Sequence, residues 1–236
     1  MLPGARDSYI DLGRFYDAAR LEKRRAELTE LTRRYKNAYV SAYGYLSAAG
    51  ALNLSASRRA SDELVDTASK NCAALLPVSA PESGAARKCF IDAVCCKGQI
   101  SLWEEFGDWR IYTISASPAD GDAVLRRLGM TLSANKYGVT CCPSPLEPSL
   151  LQHILIPTHK TLFTLARREH SPCAAALSVE KPDERLFEHH DALLGSALEM
   201  LALAKRSHDA LEEVYNPCVD FGGIYAEAKK HIDTIL

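Results

Sequence analysis

The segment Ser115-Ala116-Ser117-Pro118-Ala119-Asp120-Gly121-Asp122-Ala123-Val124-Leu125 lies between an apolar run, Arg110–Ile114, and a helical pattern that continues to Met130. A turn of this length between strand and helix is where a phosphate-binding loop sits, with the consensus G-x-x-x-x-G-K-[ST]. Its chemistry needs backbone N–H groups at a helix N-terminus, a lysine on the β- and γ-phosphates and a hydroxyl on Mg²⁺. Aligned on Gly121, the first glycine is Ala116, the lysine is Asp122 and the hydroxyl is Ala123. Asp122 would face a triphosphate as a like charge, and Ala123 cannot ligate Mg²⁺. Losing the positioned cation removes a main electrostatic source of transition-state stabilisation in phosphoryl transfer. The vestigial nucleotide-binding stretch is therefore Ala116, Ser117, Pro118, Ala119, Asp120, Gly121, Asp122, Ala123 and Val124, with no catalytic residue and no metal ligand assigned. ATP with Mg²⁺ is the one cofactor the position could take, and none is expected. The competing reading is an ordinary strand-to-helix turn.

Other residues of chemical interest are scattered. Eight cysteines occur, at Cys72, Cys89, Cys95, Cys96, Cys141, Cys142, Cys173 and Cys218, with no C-x-x-C. Two vicinal pairs suit neither a zinc knuckle nor a disulfide framework, so reduced, mostly buried thiols are expected. A site gathering Cys95, Cys96, Cys141 and Cys142 requires their segments to be neighbouring strand ends. His208, Asp209 and Glu212 share a helix, and the His208–Glu212 spacing suits metal ligands, but His208 also falls on an apolar stripe and reads as a core histidine. His189-His190 reads as an exposed pair, and Arg167-Arg168 as a solvated charge pair or, alternatively, an anion contact at a strand end. Tyr35, Tyr39 and Tyr43 form a helical stripe that reads as core packing rather than a stacking surface for bases. H-E-x-x-H and G-x-S-x-G do not occur, which leaves zincin and serine-hydrolase chemistry without an anchor.

The elements that must position these residues follow from periodicity. Asp17 is a plausible N-cap for a helix with Leu21, Leu28, Leu31, Tyr35, Ala38, Ala42, Tyr45 and Ala49 on one face. Asn53–Ser57 makes a turn, and a second helix follows with Leu64, Val65, Ala68, Cys72 and Leu75 inward. Pro77–Ala86 reads as a linker. Beyond it, strands are expected at Cys89–Val94, Arg110–Ile114, Tyr137–Cys142, His153–Ile156, Thr161–Ala166 and Ala175–Val179, with helices at Ile100–Phe106 and Asp120–Met130. Alternating strands and helices predict an α/β domain with a largely parallel sheet. Residues 187–215 and Asp220–Leu236 complete the chain as helices. The expected division is 1–80, a helical hairpin appendage; 81–186, the α/β core; and 187–236, a C-terminal helical hairpin.

Across 236 residues, 28 basic and 30 acidic groups leave a net charge of −2, and 47% of the residues are apolar. These values exclude a generally basic nucleic-acid binder and an acidic disordered chain. Asn37–Ser57 carries no charge, but its Asn and Ser content argues for a buried helix face rather than a membrane span. The N-terminal residues lack a basic segment followed by an apolar stretch, so a cytoplasmic protein with neither nucleic-acid nor membrane partners is expected.

The order of several short matches shows a resemblance. The chain resembles the latter part of a bacterial family of ATPase-like proteins built from two tandem P-loop halves. The family's inter-half segment, P-G-A-V-D-x-x-x-N-L-G-x-[FY], is matched by Pro3-Gly4-Ala5-Arg6-Asp7 and Asp11-Leu12-Gly13-Arg14-Phe15. The start of its second half is matched by Arg87, Lys88, Phe90, Ala93, Lys97 and Gly98, and Leu146-Glu147-Pro148, Ile154-Leu155-Ile156-Pro157 and His208-Asp209-Ala210-Leu211-Glu212-Glu213-Val214-Tyr215 follow in order. The resemblance implies a P-loop NTPase-like fold whose first half is missing and whose second loop is degenerate. ATP hydrolysis is then expected to be lost. The alternatives are a phosphate or nucleotide binder using loop amides with Arg126 or Lys97 as cation, and a helical scaffold for a protein partner or self-association, with no ligand.

Overall fold

The Asp17 carboxylate accepts the Arg20 amide and so caps α1 (Ala18–Lys23), as its sequence position predicts. The computed structural model describes residues 9–55, 60–77, 86–165, 171–177 and 184–235. The helix expected to run unbroken from Asp17 is interrupted at Arg24. There the amide turns back to Leu21 while the carbonyl already accepts Leu28, so one residue ends α1 and opens α2 (Arg25–Ser55). Helix α3 (Asp62–Ala74) is capped by Ser61, with Asp62 and Glu63 placed favourably against the helix dipole. Its buried face is Val65, Ala68, Ser69 and Cys72, continued by Leu76. Leu64 and Leu75, expected inward, lie one residue off that stripe and are exposed by 54% and 37%.

The chain forms two compact units, Met1–Val40 with Leu203–Leu236, and Ser41–Ala202. Their boundaries fall inside α2 and inside α5 (Glu184–Tyr215).

In the first unit, the segment before α1 lies against the turn that leads to α6 (Phe221–Ile235). Asp17 donates its amide to Cys218, Asp220 donates its own to Phe15, and Tyr16 bridges Val219. Gly223 allows this approach, because a Cβ there would lie 2.6 Å from the Phe15 ring. Arg14 pairs with Glu227 and lies over the Phe15 ring. The expected tyrosine packing is partly present: Tyr35 meets Tyr39 and His208 edge-on, whereas Tyr43 is 61% exposed.

The second unit is α/β. Its six-stranded sheet contains β1 (Arg87–Lys88), β4 (Arg110–Ser115), β5 (Thr140–Pro143), β6 (Leu151–Ile156), β7 (Thr161–Thr164) and β8 (Cys173–Ala176), in the order β1-β5-β6-β7-β4-β8. The β1–β5, β4–β7 and β4–β8 pairs are parallel; β6 is antiparallel to both neighbours. Only four residues, Pro157–Lys160, separate β6 from β7, too few for the crossover a parallel pair requires. The segment around Cys89–Val94 departs from expectation. Its strand is β2 (Asp92–Cys95), which pairs with β3 (Gly98–Ser101) in a separate hairpin. Gly98, at φ +107°, makes the tight return, and the expected helix shrinks to a 3₁₀ turn at Trp103–Phe106.

Strand alternation gives the sheet two different faces. Ile114, Ile154, Ile156 and Phe163 face the main core with Val65 and Cys72 of α3 and Val124, Leu125 and Leu128 of α4 (Pro118–Ala134). Leu155, Leu162 and Cys142 join a smaller core with Ile91, Phe106, Trp103 and Trp109. The C-terminal part of α2 belongs to this unit, and a Cβ on Gly50 would come within 3.2 Å of the Leu146 carbonyl. Among the described residues, no helix is long and apolar enough to cross a membrane.

Candidate functional site

The β4–α4 junction is shorter than the expected loop because Pro118 begins the helix. Ser117 is the N-cap, with ψ 156°, and Pro118 takes the first helical position, where its fixed φ suits a helix and its missing N–H costs nothing. Of the stretch Ala116–Val124, only Ala116 and Ser117 precede the helix. The Ser117 hydroxyl accepts the Asp120 amide at 3.2 Å and donates to the Asp120 carboxylate at 2.9 Å, a reciprocal arrangement of the capping-box kind. The other Asp120 oxygen accepts the Ala60 amide at 2.9 Å, which ties the start of α3 to the start of α4. Ser117 and Asp120 are both buried. The positive end of the helix dipole is thus met by the chain's own carboxylate.

The neighbouring positions are equally committed. A Cβ on Gly121 would fall 2.4 Å from Leu165 Cδ2, so that leucine fills the space over the glycine. Asp122, at the position of the lysine, accepts the Leu151 amide at 2.7 Å and the Arg126 Nε at 2.8 Å. Arg126 also donates to the Ser149 carbonyl, so Asp122 and Arg126 together fasten the strand-entry loop before β6. Ala116 and Ala123 pack on the main core, Val124 is fully buried, Ala119 is half-buried and Pro118 is exposed. Lys97 stands in the β2–β3 turn and Arg126 is held by Asp122. Arg167-Arg168 lies outside the described residues.

A second polar constellation lies on the opposite face. His153, fully buried, has Nδ1 2.8 Å from Thr164 Oγ1 and Nε2 2.7 Å from Asp92 Oδ2. Gln152 donates to the same Asp92 oxygen, and the Trp103 ring stands edge-on to the imidazole at 5.3 Å. Carboxylate, imidazole and hydroxyl in line have the order of a proton relay, yet His153 and Thr164 are both at 0% exposure. What the arrangement does is join β6 and β7 to the β2–β3 hairpin. Two signals in the sequence point to it: an aspartate inside an apolar strand run, and a histidine heading Ile154-Leu155-Ile156.

The strand registers extend this row. Lys88 pairs with Cys141, Cys142 with His153, and His153 with Thr164, so Cys142 sits beside His153 on the ladder. Cys142 Sγ lies 3.5 Å from Cys89 Sγ. Burial, reinforced by Cys89, pushes the Cys142 thiol well above the ordinary cysteine range; burial pushes Cys141 up and Cys72 up to about 12. The set Cys95, Cys96, Cys141 and Cys142 is not brought together as metal donors. Among the described residues, the only group of three His, Cys, Asp or Glu donors within 4.8 Å is His208, Asp209 and Glu212. His208 is no core histidine: its side chain is 39% exposed and pairs with Glu212, while Asp209 pairs with Lys205. Of the pair His189-His190, His189 is exposed and His190 half-buried beside Asp191. A cavity of about 460 Å³ in the first unit is lined by charges of both signs, including the Arg24–Glu27 pair and Arg34.

Comparison of the chain with protein-family models, with curated proteins and with solved structures returns no match.

Proposed function

We propose that this chain is a degenerate P-loop NTPase-like protein that neither hydrolyses ATP nor depends on a bound nucleotide, and that it works through protein contacts of its helical surfaces. One observation carries the reading: both carboxylates at the loop position hold backbone amides of other segments, Asp120 that of Ala60 and Asp122 that of Leu151. An incoming phosphate would have to displace these bonds and face two acidic groups at once. Of the amides at this helix start, Pro118 has none, that of Asp120 is taken by Ser117 Oγ and that of Gly121 closes on the Ser117 carbonyl. This also weighs against phosphate binding through loop amides, and Arg126, one of the two cations considered for that role, already serves Asp122. Exposed apolar side chains on α6 and the segment before α1 (Phe221 45%, Tyr225 72%, Leu12 46%) favour a surface that meets another protein.

Calorimetry with Mg·ATP and a thermal-shift series with ATP, GTP and inorganic phosphate test the reading. No heat of binding and no shift are expected at millimolar ligand. Micromolar binding or measurable turnover would overturn it.

A further inference from the structure

We propose that Cys89 and Cys142 form a reversible intramolecular disulfide, making the β1–β5 edge of the sheet a thiol-oxidation site. The geometry follows from the strand register. In the parallel β1–β5 pair, Arg87 opposes Thr140 and Lys88 opposes Cys141, and the Cys89 amide donates to the Cys141 carbonyl. The next opposed pair is Cys89 and Cys142, whose side chains leave the sheet on the same side. Neighbouring strands are about 4.8 Å apart, which falls inside the Cα separation a disulfide accepts. The two sulfurs are 3.5 Å apart, already in contact, so bond formation needs only a modest side-chain rotation. The sites differ in access: Cys89 is exposed and Cys142 fully buried in the smaller core. An oxidant can reach the first sulfur but not the second.

That asymmetry sets the order of the chemistry, with a low-molecular-weight disulfide of the glutathione class as oxidant. The Cys89 thiolate attacks one sulfur of the oxidant, forming a mixed disulfide and releasing one equivalent of thiol. Cys142 then attacks the Cys89 sulfur, its proton leaving with the second departing thiol. The two protein thiols are oxidised by two electrons, the oxidant is reduced to two thiols, and a new S–S bond joins β1 to β5. The vicinal Cys141 does not compete, because Cys141 and Cys142 are adjacent on one strand and point to opposite faces.

The test uses the full folded chain in oxidised glutathione, quenched with an alkylating agent and mapped by peptide mass spectrometry. The expected result is a fall in alkylatable thiols from eight to six, with Cys89 and Cys142 recovered as one cross-linked peptide and released by dithiothreitol. Cys142→Ala should arrest the reaction as a glutathione adduct on Cys89, and Cys89→Ser should leave Cys142 reduced and unmodified. The wild-type map decides the matter even if Cys142→Ala fails to fold. Eight thiols remaining, a persistent Cys89 adduct in the wild type, or a cross-link between any other pair would each overturn the proposal.

Discussion

The two faces of the six-stranded sheet carry polar groups in different ways. On the α4 face, Ser117, Asp120 and Asp122 are local to one helix terminus, and the two carboxylates each hold one backbone amide of another segment. On the hairpin face, Asp92, His153 and Thr164 come from three different strands and are joined through the imidazole, with Gln152 donating to Asp92. The first kind of site replaces a loop by a cap. The second replaces apolar packing by a small hydrogen-bonded network that links three strands. Asp122 and its partner Arg126 are partly exposed and can exchange a lost partner for water, whereas a fully buried imidazole does not have that recourse.

This contrast predicts a hierarchy of effects. His153→Ala should be the most damaging, because it leaves a cavity in the core and removes one hydrogen bond each from Asp92 and Thr164; a loss of about 3 kcal/mol is expected in urea denaturation. A loss below that of any α4-terminus variant would reverse the comparison. On the other face, Asp122→Lys with Ala123→Ser supplies the lysine and hydroxyl that a phosphate-binding loop would need but removes the acceptor of the Leu151 amide. It should cost about 2 kcal/mol without creating Mg·ATP affinity. Tight nucleotide binding by that variant would show that a loop geometry is recoverable beneath the cap.

The smallest effect concerns Cys72, which packs on the α4 face. Burial pushes its thiol up to about 12 when folded, against 9.0 for an unburied cysteine. The folded state therefore holds a proton that the unfolded chain releases. The stabilisation is complete below pH 9 and is lost as the pH rises from 9 towards 12. Between pH 9 and 10 the wild type should lose up to about 1 kcal/mol more than Cys72→Ala in parallel denaturation curves. Equal slopes would remove Cys72 from the alkaline response.

Local features of the fold were legible where one residue type answers one local need. Asp17 and the strand beginning at Arg110 fall where periodicity and capping place them, and the helix after Ser117 was displaced by only two residues at its start. That displacement arises because Pro118 suits the first turn of a helix at least as well as a loop. What escaped sequence reading depends on distant partners. The β2–β3 hairpin turns on one positive φ at Gly98 and pairs outside the main sheet. Asp92 and His153 are separated by 61 residues, and no spacing rule joins them. The candidate site was half visible: its position was plain, but the use of its carboxylates depends on Ala60 and Leu151, which lie on other elements.

The strand β1 has a further consequence. It is two residues long, and both residues, Arg87 and Lys88, are exposed cations at the end of the sheet. A free sheet edge is a template onto which another molecule can add a strand, and brevity with positive charge is how natural sheets discourage it. A second copy approaching with the same edge would bring two pairs of like charges together before its first hydrogen bond formed. At this end, the sheet is guarded against growth by the residues that finish it.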